Sequence, residues 1–303
     1  MRDGLWAIIL AGGEGSRLRA LARDERGVPA PKQFCPLGGL RPPLAAAIER
    51  AEGLAPRERV VVSVIEAHRP WWSAQLAGRA PEAIVSQPLP RGTATGVLLP
   101  LIGILKQDPG ARIILLPADH AVEDEGVLRR ALERAAWVAE KRPDQPVLLG
   151  ITPTWADGQL GWVIPAGQRD ADSHRVEAFV EKPGPEMARK LMASGAMWNA
   201  FLVATTGRAL LSLFERYLPE ICAPLSSLAP AHPWIPGERR PIETFESLPT
   251  RDFSHDLLTK AAARLRVLRV APCGWTDLGT PARLAEWLAA QGTPVAAGGV
   301  GSG

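Results

Sequence analysis

The sequence predicts an α/β protein with a mainly parallel sheet, and two observations support this fold class. Short apolar runs of strand type alternate with helical patterns, which is typical of parallel strands joined by crossover helices. A glycine-rich stretch follows the first run, at the strand end where α/β proteins commonly bind ligands. Between residues 150 and about 205, strand-like runs lie close together with glycine and proline between them. This region indicates an antiparallel insertion beside the main sheet.

Six apolar runs account for the predicted strands. Each run is five or six residues long and rich in bulky or β-branched side chains. Apolar residues at helical spacing predict helices over residues 128–139 and 186–192. In chain order the predicted strands are 5–10, 60–65, 112–116, 147–151, 176–180 and 265–270.

Composition limits the function classes. The 303 residues are 46% hydrophobic, which is enough for a sizeable core, and the formal net charge is only +3. Basic residues are scattered along the chain, so a nucleic-acid partner is disfavoured. Cys35, Cys222 and Cys273 are far apart, which disfavours a disulfide framework or a zinc site. We expect a cytoplasmic protein with no membrane partner, because no signal peptide or membrane span is evident.

Domain organisation is expected to be simple. We predict one domain over residues 1–291 and a glycine-rich disordered tail over residues 292–303. The proline-rich stretch 223–249 is expected to be an irregular excursion. The oligomeric state stays open, with a homo-oligomer as one alternative.

The glycine-rich stretch has the composition of a phosphate site. Backbone amides can converge on an anion where glycines replace bulkier residues, and the guanidinium of Arg17 can hold two phosphate oxygens at once. The alternative is a purely structural turn, since glycine-rich turns after first strands are common. A dehydrogenase-type dinucleotide site is disfavoured, because Leu18 occupies the place of its third glycine.

Five stretches, in a fixed order from residue 10 to residue 279, carry a resemblance. They are LAGGEGSRL at 10–18 with PKQF at 31–34, PADH at 117–120, FVEKP at 179–183, WN at 198–199 and GWTDLG at 274–279. Together they resemble the sugar-1-phosphate nucleotidyltransferases, and the PKQF form is most similar to mannose-1-phosphate guanylyltransferases. The resemblance implies a Rossmann-like three-layer domain with an antiparallel sugar-binding insertion. It also implies transfer of a nucleotidyl group from GTP to mannose 1-phosphate, with release of pyrophosphate.

The resemblance further implies the site residues. Arg17 would hold the outer phosphates of the triphosphate, Lys32 the α-phosphate and Lys182 the sugar phosphate, and these three form the expected catalytic set. The sugar phosphate would be bound by Gly161, Glu181, Lys182 and Asn199. The nucleotide would be bound by Leu10, Ala11, Gly12, Gly13, Gly15, Arg17, Lys32, Gln87, Thr93, Ala94 and Asp119.

A magnesium ion is the expected cofactor, held by Asp119 and Asp277. Two bare carboxylates about 4 Å apart would repel by roughly 4 kcal/mol at an effective dielectric of 20, and a divalent cation reverses that penalty. An alternative role for Asp119 is the N-cap of the following helix. His120 is expected to be a supporting residue rather than a general base, because the attacking sugar phosphate is already anionic.

The chain departs from the family pattern at several positions. Gln87 replaces the usual glutamate before proline, which weakens the inference of guanine selectivity, so another pair of nucleotide and hexose 1-phosphate stays an alternative. Gly92 and Ala200 also differ from the family pattern. A non-catalytic relative that binds nucleotide sugar and regulates a partner is a further alternative. It is disfavoured by retention of Arg17, Lys32, Asp119, Lys182 and Asp277.

Overall fold

The computed structural model describes residues 4–18, 21–24, 26–169, 173–228 and 242–292. Within these ranges nine strands form one sheet with helices on both faces, so the predicted three-layer α/β fold is confirmed. The strands are β1 Leu5–Leu10, β2 Val60–Ile65, β3 Ile84–Gln87, β4 Arg112–Pro117, β5 Val147–Ile151, β6 Trp162–Arg169, β7 His174–Val180, β8 Met197–Thr206 and β9 Arg266–Val270.

The sheet has a parallel half and a mixed half. The strand order is β3-β2-β1-β4-β8-β5-β9-β7-β6, and β6 also pairs with β8. Strands β1 to β4 are parallel, whereas β8 runs antiparallel between β4 and β5. The β6–β7 pair is the antiparallel insertion that the sequence predicts. Antiparallel pairing extends further than expected, because β8 returns from this insertion into the centre of the main sheet.

The helices are α1 Pro43–Glu52, α2 Arg69–Gln75, α3 Gly92–Gln107, α4 Glu125–Lys141, α5 Pro185–Ala193, α6 Gly207–Tyr217, α7 Pro219–Leu228, α8 Ile242–Ser247, α9 Thr259–Ala261 and α10 Pro281–Ala290. Side-chain caps begin three of the described helices, α4, α6 and α10. Asp124 caps the longest helix by accepting from the backbone N–H of Val127 at 2.9 Å, which excludes Asp119 as the N-cap. A π-helical turn, Phe253–Leu258, begins with a similar cap from Asp252.

Two apolar cores lie on opposite faces of the sheet. Helices α1, α4 and α5 pack on one face, and α3, α6, α7 and the π-helical turn pack on the other. A smaller cluster joins the loop after the glycine-rich turn to α10, through residues such as Leu18, Leu37 and Leu284. Apolar burial of this extent is the main stabilising term for the fold. It also fixes the strand ends at which the site is built.

Three predictions about the ends and connections have mixed outcomes. The stretch predicted to be irregular is helical in α7 and α8, and residues 229–241 lie outside the described ranges. Residues 293–303 of the predicted tail are likewise outside the description, so the tail and the domain boundary stay predictions. Among the described helices, none is long and apolar enough to cross a membrane.

Candidate active site

A cavity of about 500 Å³ opens at the carboxyl ends of β1 to β4 and continues to the end of β7 and the start of β8. This edge is where open α/β sheets bind ligands. Among the described residues, four predicted site residues do not line this cavity, namely Ala11, Gly15, Lys32 and Ala94. The other predicted residues line it: Leu10, Gly12, Gly13, Arg17, Gln87, Thr93, Asp119, Gly161, Glu181, Lys182, Asn199 and Asp277.

Gln33, a residue to which the sequence motifs gave no role, fixes the conformation of the glycine-rich turn. Its side-chain amide donates to the carbonyls of Ala11 at 3.0 Å and Gly13 at 2.7 Å. Gly15 has φ +61°, and a side chain there would contact the backbone of Lys32 at 3.1 Å. The turn therefore needs glycine at position 15 for conformation and space, and Gln33 fixes the carbonyls of Ala11 and Gly13.

Lys32 is buried and fully engaged. Its ammonium donates to the carbonyls of Asp277 at 2.9 Å and Leu278 at 3.0 Å, and forms an ion pair with Asp119 at 3.0 Å. An ammonium has three donors, and these contacts use all of them. Lys32 therefore ties the segment after the glycine-rich turn to two distant acidic motifs. Its contact with an α-phosphate stays a prediction and would require exchange of one of these three bonds.

Asp119 and Asp277 stand on two loops that are paired to each other. Ala121 and Thr276 exchange both backbone hydrogen bonds, at 2.9 and 3.0 Å. Burial would raise the pKa of Asp119, but the Lys32 ammonium holds it below its usual value. Asp277 accepts from the backbone N–H of Gly279 at 2.9 Å through Oδ1. Both carboxylates are therefore positioned before any ligand arrives.

His120 is a neutral neighbour of this pair. Burial lowers its pKa to about 4, in spite of the nearby carboxylates of Asp119 and Asp277. Its Nδ1 accepts a hydrogen bond from Nε1 of Trp275 at 3.2 Å, and the two rings meet edge to face. His120 is therefore uncharged at neutral pH and supports the Asp119 loop by packing, as expected from the sequence.

Arg283 could not be found from the sequence motifs, because it lies outside them on α10. Its guanidinium is buried and joins the carboxylate of Asp277 at 2.6 Å to that of Asp157. Asp157 begins the loop of residues 157–161, which lines the cavity through Gln159, Leu160 and Gly161. One buried cation therefore connects Asp277, on the loop after β9, to the loop that contributes Gly161 to the cavity.

The opposite end of the cavity is built from Gly161, Glu181, Lys182 and Asn199. A side-chain carbon at Gly161 would lie 2.7 Å from Oε2 of Glu181, so a larger residue there would displace this carboxylate. Burial raises the pKa of Glu181, although Lys182 forms an ion pair with it at 3.3 Å. The side chain of Lys182 is 54% exposed. Its ammonium is therefore accessible to an anionic ligand.

Backbone strain is concentrated at this cavity. Over the described part of the chain, the non-glycine residues with positive φ are Lys182 (+45°), Phe201 (+54°) and Leu278 (+46°). Lys182 and Phe201 line the cavity, and the carbonyl of Leu278 accepts from Lys32. Such residues cost about 1–3 kcal/mol each and cluster at ligand sites. Their positions are an independent indication that the cavity is functional.

The segment 251–254 forms a wall of the cavity that no sequence pattern identified. Asp252 accepts from the hydroxyl of Thr93 at 2.9 Å, and this hydroxyl in turn accepts from the N–H of Phe253 at 2.8 Å. Gly92 has φ +85°, and a side-chain carbon there would lie 2.0 Å from the carbonyl oxygen of Arg251. Glycine at this position, a departure from the family pattern, lets the segment pack against the start of α3.

Five acids and three bases line the cavity, and two of the acids, Asp119 and Asp277, are paired with Lys32 and Arg283 outside the lining. Its charged lining comprises the acids Glu14, Asp119, Glu181, Asp252 and Asp277 and the bases Arg17, Arg91 and Lys182. The described residues include no cluster of three or more His, Cys, Asp or Glu side chains able to hold a metal ion. Two carboxylates nevertheless match the donor set of Mg²⁺, which takes its remaining ligands from water and phosphate oxygens.

Comparison with known proteins gives a consistent answer. The sequence matches the nucleotidyl transferase family over residues 6–291. It is 30% identical over 292 residues to the mannose-1-phosphate guanylyltransferase of Escherichia coli (strain K12), covering 93% of this chain and 59% of that protein. It is 31% identical over 282 residues to the xanthan biosynthesis protein XanB of Xanthomonas campestris pv. campestris (strain B100), covering 90% of this chain and 57% of that protein.

A solved structure agrees with these sequence matches. The protein from Thermus thermophilus described as a mannose-1-phosphate geranyltransferase superposes with a TM-score of 0.77 at 30% identity. The match covers 91% of this chain and 76% of that one. The chain thus spans somewhat less than three fifths of the length of the two curated relatives, and about three quarters of this solved structure.

Proposed function

Because this chain belongs to the nucleotidyl transferase family, we propose that it transfers a guanylyl group from GTP to mannose 1-phosphate, giving GDP-mannose and pyrophosphate. One observation carries the proposal. Lys32 holds Asp119 and the backbone of residues 277–278 together at 2.9–3.0 Å, so that acidic motifs separated by more than half of the chain share one cavity with Arg17 and Lys182. The name of the Escherichia coli relative supports the choice of guanosine and mannose, and the name of the solved structure supports mannose 1-phosphate.

The nucleotide is assigned to the end of the cavity formed by the glycine-rich turn and β3. Arg17 is exposed at this end and lines the cavity, where a guanidinium can hold two oxygens of the outer phosphates. The sugar phosphate is assigned to the end formed by Gly161, Glu181, Lys182 and Asn199. The two ends form a single cavity, which supports a reaction between two bound anions.

Mg²⁺ is the proposed cofactor, and the donor set fits it. Lys32 engages Oδ2 of Asp119, and Arg283 engages Oδ1 of Asp277, which leaves the second oxygen of each carboxylate for a cation. The ion would neutralise the charge that accumulates on the phosphates. The ion would also reduce the repulsion between two anionic substrates bound in one cavity.

The chemistry requires little from the protein beyond positioning. An oxygen of the sugar phosphate attacks the α-phosphorus in line, the bond from that phosphorus to the bridging oxygen breaks, and pyrophosphate leaves with the electron pair. Lys182 approaches the sugar phosphate, and Arg17 holds the departing phosphates. Neutral His120 takes no proton, because the attacking oxygen is already anionic. Holding both reactants in one orientation and neutralising the charge on the phosphates together supply the acceleration.

The setting that we propose is cytoplasmic. The three cysteines, Cys35, Cys222 and Cys273, are free and buried, and burial raises the pKa of each thiol. Unpaired thiols of this kind are typical of a reducing compartment.

The test is pyrophosphate release with Mg²⁺ across a matrix of five nucleoside triphosphates and three hexose 1-phosphates. We expect the largest kcat/KM for GTP with mannose 1-phosphate. A larger value for another pair would reject the proposed substrates while keeping the reaction. No release for any pair by protein that binds nucleotide would reject catalysis and favour a regulatory role.

A further inference from the structure

Two buried polar atoms at the nucleotide end of the cavity have no hydrogen-bond partner. They are Oγ of Ser63 and Oε1 of Gln87, and both side chains line the cavity while being almost wholly buried, at 1% and 3% exposure. A buried polar group without a partner costs about 1–3 kcal/mol. Such a cost is commonly recovered when a ligand supplies the missing hydrogen bond.

The two side chains lie on the same face of neighbouring strands. In the β2–β3 register Ser63 stands opposite Val85 and Ile65 opposite Gln87. Residues two apart on a strand point to the same face, so Ser63 and Gln87 are diagonal neighbours beneath α3. The serine hydroxyl reorients by rotation about one bond, and the glutamine amide turns about its terminal torsion.

Two glycines keep the space beside these atoms open. A side-chain carbon at Gly96 would lie 3.4 Å from Nε2 of Gln87 and 3.7 Å from Oγ of Ser63. A side-chain carbon at Gly12 would lie 3.8 Å from the same Nε2. The pair therefore faces a recess bounded by the glycine-rich turn on one side and α3 on the other.

The hydrogen-bonding groups of Gln87 do not by themselves distinguish guanine from other nucleobases. A carboxamide offers one donor and one acceptor side by side, which matches the carbonyl and N1–H of guanine. It matches the corresponding edges of uracil and adenine equally well. A further group is required for discrimination, and in guanine the distinguishing group is the exocyclic 2-amino donor.

We propose that Ser63 is a nucleobase-specificity residue that accepts a hydrogen bond from the 2-amino group of guanine while Gln87 pairs with the adjacent edge. The inference rests on the proposed function, because it takes the substrate to be a guanosine nucleotide. It assigns a role to a residue outside every motif recognised in the sequence.

Binding of GTP and ITP tests this directly, because the two nucleotides differ only in the 2-amino group. Isothermal titration with Mg²⁺ and without a sugar phosphate avoids turnover. One neutral hydrogen bond predicts that the wild-type protein binds GTP about tenfold more tightly than ITP. Ser63→Ala should bring this ratio close to one, mainly by weakening GTP. Ser212→Ala, whose hydroxyl is exposed on α6, should keep the wild-type ratio.

Thermal unfolding without ligand separates recognition from a structural role. Ser63→Ala removes a hydroxyl that has no partner, so its melting temperature should equal or exceed that of the wild type. A lowered melting temperature with an unchanged GTP to ITP ratio would overturn the inference.

The remaining outcomes distinguish this inference from the proposed function. Wild-type protein that binds GTP and ITP equally, yet releases pyrophosphate with mannose 1-phosphate, would reject the role of Ser63 alone. Wild-type protein that prefers UTP or ATP over GTP would reject both, because no 2-amino group is then available.

Discussion

The two lysines of the cavity stand in opposite environments. Lys32 is buried, and its ammonium is saturated by Asp119 and two backbone carbonyls. Lys182 is half exposed, has a positive φ, and contacts Glu181 at the longer distance of 3.3 Å. The closed corner, around Lys32, has its charges and hydrogen bonds paired within the chain. The open corner, around Lys182, has a strained backbone and an exposed ammonium.

The difference shows which charged groups of the cavity are held in position without a ligand. At the closed corner, charge is balanced within the chain, so the two carboxylates are positioned without a ligand. At the open corner, the strained backbone of Lys182 presents a cation that an anionic substrate can satisfy. We therefore expect substitutions at the closed corner to change both stability and activity, and substitutions at the open corner to change activity alone.

The largest effect is expected from neutralising the acidic pair. Asp119→Asn and Asp277→Asn should each lower kcat by about 10²–10³-fold, because each removes charge that would hold the cation at the phosphates. The assay is pyrophosphate release at saturating substrates. Asp144→Asn, at an exposed position away from the cavity, is the matched control and should be unaffected. Activity within tenfold of wild type in both variants would remove the metal proposal.

Replacing each lysine by methionine tests the contrast between the two environments. Lys32→Met should lower the free energy of unfolding by about 1–2 kcal/mol, because it leaves the partly exposed carboxylate of Asp119 without its partner. Lys182→Met should change stability by less than about 0.5 kcal/mol. It should still lower kcat/KM for the sugar phosphate by about 10²-fold, because it removes a charge-assisted contact. Urea unfolding and pyrophosphate release together give the result, and equal destabilisation by both variants would contradict it.

The Arg283 bridge should make stability depend on acid pH. Burial would raise the pKa of Asp157, but hydrogen bonds from Gln159, Trp155 and Arg283 hold it below its usual value. An acid with a depressed folded-state pKa stabilises the fold above its unfolded-state pKa, about 3.9, and loses that contribution as pH falls through the folded-state value. Asp157→Asn should therefore be less stable at pH 7 by about 3 kcal/mol.

Urea unfolding between pH 7 and pH 3 measures this dependence. The difference between wild type and Asp157→Asn should be constant near neutrality and shrink below about pH 4. A difference that grows as the pH falls would show that the carboxylate of Asp157 is not stabilised in the folded state.

The smallest effect is expected at Gly161. Gly161→Ala places a methyl group about 2.7 Å from the carboxylate of Glu181 and should displace it. The KM for the sugar phosphate should rise about tenfold, the KM for GTP should stay unchanged, and stability should fall only slightly. Gly167→Ala is the control, because a side-chain carbon at Gly167 meets nothing within 4 Å. If the KM for GTP rose more than the KM for the sugar phosphate, the assignment of the sugar phosphate to the Gly161 end of the cavity would be rejected.

Much of this architecture could be predicted from the sequence. The runs at 5–10, 60–65 and 147–151 have the same bounds as β1, β2 and β5, because short buried strands have strong apolar signals. Helix α3 was not predicted, because its nearly uniform apolar character and internal Pro100 conceal helical periodicity. Strand β8 was anticipated only as part of the insertion, since sequence does not reveal which strands become neighbours.

The site was predictable where a residue type carries its own chemistry. Glycines, Arg17, Asp119 and Asp277 carry such signals, and the structure brings them to one cavity. Ser63, Arg283 and the segment 251–254 have no such signal, because an ordinary serine in a strand or an arginine on a helix gains its meaning only from tertiary contacts. Lys32 lies between these cases, since its motif was recognised but its three internal bonds could not be foreseen.

The most direct test of the central claim is to follow both products from GTP and mannose 1-phosphate in one reaction. Mass spectrometry would measure GDP-mannose while an enzymatic assay measures pyrophosphate, with and without a chelator of divalent cations. The account predicts that the two products appear in equal amounts, that the chelator abolishes both, and that added Mg²⁺ restores them. Pyrophosphate release without GDP-mannose, or undiminished product formation in the presence of the chelator, would contradict it.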